Sequence, residues 1–161
     1  MNRSPTHATH DLAQNPRPWL PDLLADLLAE GWSVEMEVTG GSMAPCLLDG
    51  DVVTVAPIRG APELGDIVVW VDRRRLLVHR VVARHPVVDG PPLWVTRGDA
   101  VPFADPAADL SEFLGTVVAA RRRGRPLRWG LGRGRRTIAR LSRWGWWAFV
   151  AGPWRWWVRR Q

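Results

Sequence analysis

The chain predicts a mainly β domain over about residues 33–122, and three observations carry that expectation. Short runs rich in β-branched residues (DVVTVAP, DIVVWVD, LLVHRVVARH, LWVTRGD and LGTVVAARR) recur with Gly, Pro and Asp turns between them, the pattern of successive strands. At 161 residues the chain has the length of one domain. It is 46% hydrophobic, enough for a core, yet no segment reaches the ~18 unbroken apolar residues of a membrane span.

The elements follow in order. Residues 1–18 are polar and Pro-rich, read as a disordered arm without the apolar core of a secretory signal. WLPDLLADLLAE, residues 19–30, puts Leu20, Leu23, Leu24, Leu27 and Leu28 on one helical stripe, with Asp22, Asp26 and Glu30 off it and Gly31 as the stop. SVEMEV then alternates, Val34, Met36 and Val38 on one face and Glu35 and Glu37 on the other, as a half-buried strand does. The domain is expected to span 19–120, with its β core over 33–120 and a basic tail over 121–161.

Charge divides the chain at the same place. All 22 basic residues are arginine. Residues 1–120 hold 9 of them against 16 carboxylates, while residues 121–161 hold 13 and no acid. Six of the eleven tryptophans lie within residues 144–157, interrupted by Pro153, Arg155 and two glycines. Tryptophan flanked by arginine suits a membrane–water interface; a tail folded back on the domain, or a contact between copies, suits the same composition. Cys46 is the only cysteine, so no internal disulfide forms, in keeping with a cytoplasmic setting.

The segment VTGGSMAPCLLDGDVVTV, residues 38–55, offers Ser42 in a glycine turn just before a strand. A serine hydroxyl needs a neighbouring base to become a nucleophile. Without lysine, a Ser–Lys pair is impossible, and Ala44 breaks the G-x-S-x-G elbow of the α/β-hydrolases. Of four histidines, His7 and His10 fall in the arm and His85 beside Pro86 at a strand end. His79 lies mid-strand, sharing a face with Leu77 and Val81 while Arg80 points the other way. An imidazole is mostly neutral at pH 7, as a base must be. Asp99 and Asp105, on the loop after a strand, are the candidates to orient it, and the proposed order is Ser42, His79, Asp99. Asp49, Gly50 and Asp51 read as a turn, and Cys46 as a small packed residue near the substrate groove.

Four blocks, GGSMAPCLLDGDVVTV, GDIVVWV, LLVHRVV and VTRGDAVPFAD, together resemble the signal peptidase I family over about residues 36–118. The histidine makes the chain most similar to the branch found in endoplasmic-reticulum, archaeal and sporulation-type enzymes. The resemblance implies a coiled, mostly antiparallel β domain of the signal peptidase/LexA-like type. It implies Ser42 as acyl-forming nucleophile, His79 as general base and then acid, and one of Asp99 and Asp105 as orienter. The Ser42 N–H would serve the oxyanion, with Gly41, Met43 and Pro45 beside it at the substrate. Gly40 stands where many members carry a serine, and the Leu/Asp helix stands where the family has an apolar anchor.

The implied activity is cleavage of a leader segment from a precursor peptide or protein, without cofactor or metal. The tail, 121–161, is expected on an anionic membrane surface, where each Arg contributes ~1 kcal/mol, and the protein in the cytoplasm or on the inner membrane face, with anchoring in the membrane through the tail as the alternative. Two other classes stay open: an inactive peptide-binding or membrane-associated protein of this fold, and a nucleic-acid binder through the arginines. Against the last, residues 1–32 hold one short helix, too little for a helix-turn-helix.

Overall fold

A computed structural model of the protein describes residues 19–72, 75–128, 130–131 and 134–143. The arm read over 1–18 and the tryptophan cluster over 144–157 lie outside them. The chain runs α1 (Leu20–Ala29), β1 (Val34–Glu37), β2 (Val52–Pro57), β3 (Ile67–Asp72), β4 (Arg75–Val87), β5 (Gly90–Arg97), β6 (Phe113–Arg122), β7 (Arg125–Pro126) and α2 (Arg135–Arg143). The strands form one seven-stranded sheet in the order β1-β2-β6-β3-β4-β5, with β7 paired to β6. The pairings are antiparallel.

Side-chain alternation along the strands gives the sheet two cores. On one face Ile67 and Val69 of β3 join Val53 and Val55 of β2, Leu24 and Leu28 of α1, and Met43 and Leu47 of the loop after β1. On the other, Val68 and Trp70 join Val81, Trp94, Ala108 and Phe113, with Trp94 and Phe113 edge to face. The expected leucine stripe of α1 is narrower than its period suggests: Leu24 and Leu28 are buried, whereas Leu23 is exposed. A short helix packed on a curved sheet meets it along one line. Gly115 allows that approach, since a methyl there would lie 2.6 Å from Val55 and 3.1 Å from Leu28.

Secondary structure continues across residue 121, where the tail was expected to begin. Arg121 and Arg122 end β6, the chain turns at Arg123–Gly124, and β7 pairs back. Leu127 and Leu131 then pack on the first core, and Ile138 and Ala139 of α2 are buried. The arginines here also answer the acidic domain. Arg121 pairs with Glu35, Arg122 with Asp51, Arg135 with Asp66 and Glu63, and Arg136 with Glu63. The clustering of arginine after residue 120 is therefore partly internal charge matching. Asp51, expected as a turn residue, is buried; it accepts from the Leu48 N–H as well as from Arg122. Among the described residues no helix is long and apolar enough to cross a membrane.

The ion pairs that hold α2 should respond to pH and salt. The hydrogen bond and charge of Arg136, then the charge of Arg135, hold the exposed Glu63 carboxyl below its ordinary range. A depressed carboxylate stabilises the fold above its unfolded-state value and loses that contribution as pH falls through the folded one. Hydrogen exchange of the α2 amides is expected to speed up on acidification, and also in 1 M salt at neutral pH, where Debye screening reaches ~3 Å. Exchange indifferent to both would show that these ion pairs do not hold α2.

Candidate active site

Ser42 lies on the loop of residues 38–51 between β1 and β2, and side chains of that loop fix its shape. Gly40 has φ +88°, a conformation that disfavours any residue with a Cβ, and donates its N–H to Asp49 Oδ1 at 2.7 Å. Asp49 is thus more than a turn residue. A serine at position 40 would be strained in this backbone, which accounts physically for the glycine. Behind Ser42 the chain makes a helical turn, Ala44 N–H to Gly41 O and Leu47 N–H to Met43 O. Met43 and Leu47 enter the first core. Met43 is 1% exposed, so its side chain is an anchor for the loop and only its backbone can face a substrate. Gly41 is exposed and Pro45 half-buried.

β4 supplies the candidate base. His79 Nε2 lies 3.3 Å from Ser42 Oγ, and Nδ1 lies 2.6 Å from Asp105 Oδ2. The same carboxylate oxygen accepts from Thr96 Oγ1 at 2.6 Å, and the Asp105 N–H donates to Thr96 O. Asp105 is therefore tied by backbone and side chain to β5, the strand paired with β4. Three residues spread over 63 positions of sequence meet in hydrogen-bonding order, Ser42–His79–Asp105.

Asp99 does not orient His79. It is 2% exposed, and both of its oxygens accept from Arg80, from Nε at 2.8 Å and Nη2 at 2.7 Å. The reason is strand alternation: His79 and Arg80 leave β4 on opposite faces, and the loop passes Arg80 at residue 99 before returning under His79 at residue 105. Arg80 is fully buried, and the search for a base in the sequence singles out its neighbour His79 instead. The signal of Arg80 was present all the same. An arginine amid LLVHRVV has to find a carboxylate inside the protein, and that requirement claims one of the two aspartates.

Gly98 is a second site residue that the sequence motifs do not single out. A methyl there would lie 2.7 Å from Ser42 O and 3.1 Å from His79 Nε2, so the loop can approach Ser42 and His79 only with glycine at this position. The next turn adds Ala100 N–H to Ser42 O at 2.8 Å. His85 lies exposed within β4, paired in register with Leu93, away from this cluster.

Cys46 is buried four residues past Ser42. Burial pushes its thiol up to about 12, with the charge of Asp99 acting in the same sense. Thiolate is the reactive form, and at pH 8 it would amount to only about 10⁻⁴ of the total. Cys46 is expected to resist alkylation in the native protein and to react promptly in denaturant; native labelling at the rate of a surface cysteine would refute its placement. No family model matches the chain, and no curated protein sequence matches it.

Proposed function

We propose that the protein is a serine-type endopeptidase with Ser42 as nucleophile, His79 as general base and acid, and Asp105 as orienter, acting on a leader or signal segment of a precursor. The single observation that carries this is the chain of contacts from Ser42 Oγ through both nitrogens of His79 to Asp105. A serine, an imidazole within reach and a carboxylate on the far nitrogen make up the arrangement recognised by geometry rather than by sequence order. The Ser42–His79 separation is at the long end of a hydrogen bond, as is common before substrate binds.

The steps follow from these atoms. Ser42 Oγ attacks the scissile carbonyl as His79 Nε2 takes its proton. Asp105 stabilises the imidazolium that forms, and His79 returns the proton to the leaving amine. Water, activated by the same nitrogen, then frees the acyl group from Ser42. The Ser42 N–H, for which the described residues provide no partner, is available for the oxyanion. The four sequence blocks and the antiparallel sheet support a signal-peptidase-like fold and hence a peptide substrate. Charge matching between the arginines and the acidic domain leaves less positive charge for lipid or nucleic acid than composition implied. Membrane-surface binding through 121–161, and a cytoplasmic or inner-face location, belong to this proposal.

The test is mass spectrometry of a candidate precursor after incubation with the protein. Ser42→Ala and His79→Ala should each abolish cleavage, leaving at most the residual 10³–10⁴-fold effect over water that such sites keep without their triad. Cleavage surviving both substitutions would refute the assignment.

A further inference from the structure

We propose that the described residues after β7, 127–128, 130–131 and 134–139, are a positioning element of the catalytic centre. In this arrangement the Gly130 carbonyl seats Arg80, and Arg80 through Asp99 holds residue 98 against Ser42 and His79. The inference rests on the reading of Ser42, His79 and Asp105 as a protease site.

Arg80 is the hub. Its Nη1 donates to Gly130 O at 2.8 Å and to Gly65 O at 2.9 Å, while Nε and Nη2 hold Asp99. A planar guanidinium bound at both ends transmits displacement, because its donors sit in a fixed fork. The residues on either side of Asp99 are the ones that touch Ser42: Gly98 by close approach and Ala100 by its N–H. If Gly130 moves, a buried donor on Arg80 loses its acceptor, which a buried site penalises, and the fork re-aims with Asp99 in its grip.

A second contact reaches the same centre from behind. A methyl added at Gly130 would lie 2.7 Å from Cys46 Sγ, and Cys46 belongs to the loop that carries Ser42. Leu127 and Leu131 pack on the core that contains Met43 and Leu47 of that loop. α2 completes the seat. Gly65, whose carbonyl accepts from Arg80, lies so close to the Arg135 backbone that a methyl there would meet it at 2.6 Å. The segment therefore presses on both the nucleophile loop and the loop that bears Asp105. With Ser42 Oγ and His79 Nε2 at 3.3 Å, a shift of a few tenths of an ångström makes or breaks their hydrogen bond. A 1 Å misplacement can cost on the order of 10²-fold in rate.

The experiment uses the full chain with Gly130→Ala, Cys46→Ala and the two combined. Gly130→Ala should lower kcat for precursor cleavage by on the order of 10²-fold, with KM changed less than about twofold. The combined variant removes the sulfur the new methyl meets but not the strain of a Cβ at the φ of +85° that Gly130 adopts, so it should recover only the part of the loss that comes from the contact with Cys46. A readout free of turnover accompanies this: the ring ¹H–¹⁵N resonances of His79 should shift in Gly130→Ala and return toward their original positions in the combined variant. Unchanged kcat with an unmoved ring in folded Gly130→Ala overturns the proposal and leaves the protease reading standing. A shifted ring in a protein that cleaves no precursor supports the coupling and counts against the protease reading. Should Gly130→Ala fail to fold, Asp99→Asn, nearly identical in shape, loosens the same fork; a His79 ring unmoved there also overturns the proposal.

Discussion

Asp105→Asn is expected to lower kcat for precursor cleavage by about 10²–10⁴-fold while leaving the fold intact. The range reflects which way the new amide turns. If its oxygen takes the place of Oδ2, it still accepts from His79 Nδ1–H and Thr96 Oγ1, and the tautomer is preserved. Only the negative charge that stabilises the imidazolium is then lost, and the lower end applies. If its nitrogen takes that place, it donates to Nδ1 and forces the proton onto Nε2, where it faces Ser42 Oγ. The base is then occupied, and the upper end applies. Thr96 biases the outcome toward the first orientation, because its hydroxyl already donates to that position at 2.6 Å. Thr96→Val, which removes the bias, is expected to make Asp105→Asn worse in combination than either substitution predicts alone. Single-turnover rates on one precursor measure both. A loss of less than tenfold in Asp105→Asn would exclude the carboxylate from the orienting role.

The assignment of Asp105 over Asp99 shows what a sequence can and cannot tell. The mainly β architecture was legible because valine-rich alternation, read over 33–122, maps directly onto β1 to β6. The meeting of Ser42 and His79 was legible by elimination: no lysine, and of the two histidines in the β domain only His79 lies amid the apolar part of its strand. The choice between two aspartates six residues apart was not, because it depends on which face of β4 each one meets. Period two along a strand separates His79 from Arg80, but where a loop crosses from one face to the other is set by packing around Thr96. The same holds for the arginines. Composition counted thirteen after residue 120 as a tail, whereas β6 and α2 draw Arg121, Arg122, Arg135 and Arg136 onto carboxylates far away in sequence.

Arg80→Met is expected to destabilise the protein by about 3–5 kcal/mol, because it strands a buried carboxylate. Asp99 has 1% of its side chain exposed, and the Gly65 and Gly130 carbonyls lose their donor at the same time. For a chain of this size, each kcal/mol moves the midpoint by roughly 2–4 °C, so a fall of roughly 6–20 °C should be seen by calorimetry. Pairing the change with Asp99→Leu separates the cost of an unpaired charge from the worth of the pair. Hydrophobic replacement of a whole buried ion pair is often close to neutral, so Arg80→Met/Asp99→Leu should regain most of the lost stability. Cleavage should not return with it: Met and Leu fill the space without a fork that fixes residue 98 against Ser42 and His79. Stability restored with activity still absent is the combination that a purely structural pair would not produce. If activity returned together with stability, the pair would serve the fold alone. A single Arg80→Met variant within about 1 kcal/mol of the parent would show that the guanidinium is not buried against Asp99 at all.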